Sequence, residues 1–185
     1  MNTFLTLFAQ TTSTATKLEV SRLITSVLRT LQSPPVATPL DESLKKLTCT
    51  PDILSPLFFS IKQSPSPGVI NVQAEAWLAF NLFARMPGGS RVLATEVSED
   101  EEVFSLLSRR ITKKEEGVVA IRGQDNGTTE QNEDTRPEWV REKERDNTIL
   151  LTHDLLTAED VNGDIKARLE ALLKGTEIRV HSVDG

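Results

Sequence analysis

Residues 72–83, VQAEAWLAFNLF, constrain the fold more than any other stretch of this 185-residue chain. On a helix drawn through residues 69–86, Val72, Ala76, Trp77, Ala79, Phe80, Leu82 and Phe83 are apolar over most of the circumference. Such a helix has to be buried on several sides, because a helix that faces water on one side keeps a polar face there. Pro87-Gly-Gly89 closes it.

The rest of the chain supplies candidate neighbours. Leu18, Val20, Leu23, Ile24, Val27, Leu28 and Leu31 recur at helical spacing over residues 17–31, and Ser33-Pro-Pro35 ends that run. A short helix is expected at 41–47, started by the acidic pair Asp41 and Glu42. Thr50-Pro51-Asp52 opens another, with Ile53, Leu54, Leu57, Phe58 and Ile61 inward, and Ser64-Pro-Ser-Pro-Gly68 breaks it. A short helix at 90–97 and a longer one at 99–111 follow. Acidic residues 96–102 suit the longer helix's start, and Arg109 and Arg110 suit its end. Residues 112–136 are polar and charged, with Val118-Val119-Ala120-Ile121 as an apolar island, and read as a long disordered insertion. Helix resumes at Pro137, runs through 147–156, and recurs from about 158 to 173 before Lys174-Gly175. The domain reading is a flexible N-terminus at 1–16, repeats at 17–111, a polar loop at 112–136, final helices at 137–174 and a tail at 175–185.

Two of these helices echo each other. VQAEAWLAFNLF (72–83) and RDNTILLTHDLL (145–156) are both mostly apolar with one polar residue before the final pair, Asn81 and Asp154. Residues 17–31 fit the same frame, with Ser26 at the polar position and Arg22 one turn earlier. This pattern resembles the armadillo repeat, in which a long third helix lines a concave surface and a polar residue near its end, often Asn, faces the ligand. Phe80-Asn81-Leu82, the Pro87-Gly-Gly89 turn and Arg91-Val92-Leu93 look like the junction between two such repeats. The fold implied is all-α: an armadillo/HEAT-like right-handed superhelix of a few repeats. Within that class the chain is most similar to the C-terminal repeats of the small-GTPase GDP dissociation stimulators. The likeness rests on Glu19-Val-Ser-Arg-Leu-Ile24 with Leu28-Arg29, on residues 72–83 with Gln73, Glu75 and Ala76, and on 103–107 with 147–156. It implies binding of Rho- or Rap-type GTPases with polybasic, prenylated tails, and non-covalent nucleotide exchange or chaperoning. The implied partner-binding positions are Arg22, Ser26, Trp77, Asn81 and Asp154, of which Trp77 would serve equally well as core filling.

Composition agrees with a binding protein. A formal net charge of -6 and a pI near 5.1 repel phosphate backbones, so nucleic acid is an unsuitable partner; the same charge would attract a basic tail, or serve solubility alone, as in most mildly acidic proteins. The single cysteine, Cys49, excludes an internal disulfide framework and suits a reducing, cytoplasmic setting. Residues 1–8 are apolar but short and lack a basic leader, and no window reaches the ~20 apolar residues of a membrane span. His153 and His181, the only histidines, do not combine with Cys49 at a zinc spacing. Pro87-Gly-Gly-Ser90 lacks the Gly-Lys-Ser/Thr of a phosphate loop, and Asp160, Asn162 and Asp164 begin a calcium loop that the later spacing does not complete. His153-Asp154 echoes part of a catalytic triad, but a packed or concave-face histidine on a repeat helix is the stronger reading. Catalytic residues, metal and cofactor are expected to be none.

Overall fold

Helix boundaries follow from local chemistry. Ser13 Oγ accepts a hydrogen bond from the Thr16 amide at 3.3 Å and so caps α2 (Thr14–Gln32). Pro67 starts α4 (Pro67–Ala84) in the first turn, where a missing N–H costs nothing, and the Val69 and Ile70 amides close on the Ser66 carbonyl. Asp100 Oδ1 accepts from the Val103 amide at 3.1 Å, capping α6 (Glu101–Thr112), which also carries Glu101 and Glu102 at its positive end and Arg109 and Arg110 at its negative end. Asn162 Oδ1 accepts from the Asp164 amide at 2.8 Å just ahead of α8 (Gly163–Lys174).

The computed structural model describes residues 2–32, 51–112 and 137–174. The remaining elements are α1 (Asn2–Gln10), a 3-10 turn at Pro51–Leu54, α3 (Ser55–Lys62), α5 (Gly89–Glu99) and α7 (Glu138–Thr157). The fold is all-α: the described residues form eight α-helices and no strand. Two expectations are corrected. Residues 1–16 contain α1, fixed through Phe8, whose ring meets Phe59 edge-on at 5.7 Å, while the Lys17 ammonium lies 5.1 Å from each ring. The last helix starts at Gly163, since residues 158–162 form a turn. The helix expected at 41–47, most of the insertion (113–136), the tail at 175–185, Cys49 and His181 lie outside the described residues.

α4 is the centre of the molecule. It packs most extensively on α2 and on α7, and it is backed by α3 and α5. Trp77, Phe80 and Phe83 are fully buried. Trp77 meets Phe80 at 5.5 Å and 70°, and Phe58 of α3 meets Phe80 at 5.2 Å. The direction of α7 follows from two polar ties: Asn81 bonds to Asn147, and four residues on Arg85 bonds to Asp154, so α4 and α7 run the same way. At α2 the side chain of Gln32 donates to the Leu82 carbonyl, placing the C-terminal ends of α2 and α4 together. Three helices thus lie side by side with α4 in the middle and their ends level. A second row is built from α3, α6 and α8, with α6 touching α3, α7 and α8.

The turn between α4 and α5 needs both glycines. Gly88 has φ +74, where a side chain is strained, and a Cβ on Gly89 would sit 1.9 Å from the Phe83 carbonyl oxygen.

Candidate functional site

Covering α4 on three sides leaves one stripe open. Asn71, Glu75, Leu78, Leu82 and Arg85 recur at alternating spacings of four and three, the repeat of a single helix face. Asn71 and Arg85 are exposed and the three between them are half-buried, whereas the neighbouring positions 72–74, 76, 77, 79–81, 83 and 84 are buried. Leu78 and Leu82 make the middle of the stripe apolar. From Asn71 to Arg85 the stripe is about 21 Å long at 1.5 Å per residue.

The flanking helices have exposed faces of their own. On α7 the exposed positions Lys143, Asp146, Leu150, His153 and Thr157 share a face, and Leu150 is 41% exposed. On α2 they are Glu19, Leu23, Ser26 and Thr30, with Leu23 36% exposed. Asp154 sits at the edge of the stripe, where its Oδ2 accepts from Arg85 Nε at 2.9 Å. Arg22 pairs with Glu19 at 2.8 Å on its own helix. Both signs of charge are mixed along the face, whereas the carboxylates of 96–102 concentrate at the α5–α6 junction.

At that junction two charged groups titrate away from their ordinary values. Lys62 Nζ lies 2.5 Å from Asp100 Oδ2 and 3.3 Å from Glu102 Oε2. Burial works against the Lys62 charge, but the two carboxylates outweigh it and hold the ammonium above its usual range. Burial likewise opposes the Asp100 charge, and the Lys62 ammonium and the Val103 amide overcome it, holding the carboxyl below its usual range.

The five expected contact residues do not form one exposed row. Ser26 is exposed, beside a shallow groove it lines with Val27, Thr30 and Leu31. Arg22 and Asp154 are partly exposed and ion-paired. Trp77, 1% exposed, fills the core, and of the two readings open for it the structure shows core filling. Asn81, 2% exposed, spends its amide on the Trp77 carbonyl at 3.0 Å and the Asn147 carbonyl at 2.9 Å, so it ties α4 to α7 instead of facing outward. The open residues Leu78, Leu82, Arg85 and Leu150 escaped sequence reasoning. Leu82 is only one residue from Asn81, but that is about 100° around the helix.

His153 is exposed, its Nδ1 4.0 Å from Asp154 Oδ1. Among the described residues no group of three or more His, Cys, Asp or Glu is arranged to hold a metal ion, and no helix is long and apolar enough to cross a membrane. Comparisons with family models, curated proteins and solved structures find no match to this chain.

Proposed function

We propose that this chain is an armadillo-type right-handed stack, acting by binding a protein across the open face of α2, α4 and α7 without covalent chemistry. The observation that carries the reading is the α4 stripe. A helix buried on every other side leaves Leu78 and Leu82 in a shallow, partly apolar face between two neighbours, the kind of surface that receives protein partners. The repeat likeness names the partner class as Rho- or Rap-type small GTPases with polybasic tails. Nucleotide release or chaperoning then follows from binding, and the net charge of -6 favours the basic tail. The setting proposed is the cytoplasm.

The test is capture of a GDP-loaded GTPase, with and without its polybasic prenylated tail, at about 0.1 and 0.5 M salt, followed by the rate of GDP release. Capture that depends on the tail and weakens at high salt supports the reading. Failure to capture either form at low salt rejects it.

A scaffold reading, in which the chain is one segment of a larger helical assembly with an unrelated partner, is favoured by a separate observation. Phe4 and Leu7 on α1 are 42% and 45% exposed, and the end of a helical stack exposes apolar surface where no cap covers it. On this reading the isolated chain unfolds with little cooperativity, and a fully stable monomer counts against it.

A further inference from the structure

Six of the nine prolines in the chain follow a Ser or a Thr, and all six pairs fall within residues 33–67. In three of them both residues are described: Ser55-Pro56, Ser64-Pro65 and Ser66-Pro67. The fold treats the three differently. Ser55 opens α3, and Pro56 behind it is buried, so an outside enzyme does not reach that pair in the folded chain. Residues 64–68 are exposed without a break. Ser66 is already engaged as the N-cap residue of α4, with its carbonyl taken by the Val69 and Ile70 amides and Pro67 held in the first turn. Ser64-Pro65 is the pair with neither residue in or capping a helix, since α3 ends at Lys62 and α4 starts at Pro67. Gln63 before it (φ -68, ψ 148) and Ser66 after it (φ -146, ψ 159) are extended. Pro65 itself disfavours the α region for Ser64. The chain therefore runs extended through an exposed Ser-Pro pair.

That is the form in which a kinase takes up its substrate. Protein kinases bind the stretch around the acceptor hydroxyl as an extended strand. Those that demand proline next offer no partner for an N–H at that position, and proline is the residue that brings none. We propose that Ser64 is a phosphorylation site for a proline-directed Ser/Thr kinase. Ser64 Oγ attacks the γ-phosphorus of the kinase's ATP, and the new O–P bond forms as the bond to the β,γ-bridging oxygen breaks. ADP leaves with that electron pair, and the hydroxyl proton passes to the kinase's catalytic aspartate. The product carries about -1.5 to -2 charge at neutral pH, two residues ahead of the N-cap of α4, the helix that bears the open stripe.

The test incubates the complete folded chain with ATP and a proline-directed kinase, maps the phosphate by mass spectrometry of peptides, and repeats this on variants at exposed positions. Phosphate on Ser64 is expected in the wild type and in Ser66→Ala, and none at that position in Ser64→Ala. In Pro65→Ala the rate is expected to fall at least about tenfold. No phosphate on Ser64, phosphate on Ser55 or Ser66 in its place, or a Pro65→Ala chain modified as fast as wild type overturns the proposal. Unchanged helicity by circular dichroism ties each loss to the group removed, and should a variant unfold, the position of the phosphate in the wild-type chain decides.

Discussion

Trp77 is 1% exposed, with its ring against Phe80. Truncating it leaves a large void in the middle row of helices, and Trp77→Ala is expected to cost about 3–5 kcal/mol in chemical denaturation. A loss below about 1 kcal/mol shows that the ring does not fill the core. The α4–α5 turn offers a sharper single-atom test. The methyl of Gly89→Ala collides with backbone at 1.9 Å, whereas one at Gly68 meets nothing within 4 Å. Gly89→Ala is expected to destabilise by about 2 kcal/mol, and Gly68→Ala to change stability by less than about 0.5 kcal/mol. Equal effects contradict the turn geometry. Glu144, fully buried and 3.2 Å from Arg110 Nε, couples α7 to α6. Glu144→Ala removes the buried carboxylate from this ion pair, and a loss of about 3 kcal/mol is expected.

At the scale of elements, Lys62 joins the end of α3 to the start of α6 through Asp100 and Glu102. Asp100 titrates below its ordinary value of 3.8, so its contribution to stability is complete above that pH and disappears as pH falls through its lowered folded value. Lys62 titrates above 10.5, so its contribution is complete below that pH and disappears as pH rises through its raised folded value. Lys62→Met is therefore expected to cost about 1 kcal/mol at neutral pH. The gap from wild type should close on acidification below the ordinary carboxylate range and again in strong alkali. A gap constant from pH 3 to 7 contradicts the assignment. Most of the helices were legible in the sequence: periodicity and Pro/Gly breaks place α2, α4, α5 and α6 to within three residues at either end. α1 was not, because Asn2–Gln10 carries no charged residue to mark a solvent face and owes its place to Phe59, some fifty residues away. The extra turn ahead of α8 escaped because Ala158 and Glu159 are good helix formers, while the Asn162 cap lies further on.

The whole molecule depends on α2, α4 and α7 lying side by side, and residues 72–83 and 145–156, which echo each other in sequence, belong to two of these helices. The open face was less legible. In a helix apolar nearly all round, composition does not tell which side a neighbour covers, and Asn81, the polar position that the repeat pattern singles out, is the one the α4–α7 seam consumes. Replacing Leu78 and Leu150 together by Asp is expected to weaken partner binding at least about tenfold, near 1.4 kcal/mol, with helicity unchanged by circular dichroism. Binding that is indifferent to both changes moves the contact elsewhere. The most direct test of the central claim is hydrogen exchange of the complete chain, alone and with a GDP-loaded small GTPase bearing a polybasic tail. The α2–α4–α7 face predicts slowed exchange in peptides covering 19–30, 71–85 and 143–157. Protection confined to the acidic α5–α6 junction, or no protection anywhere, contradicts it.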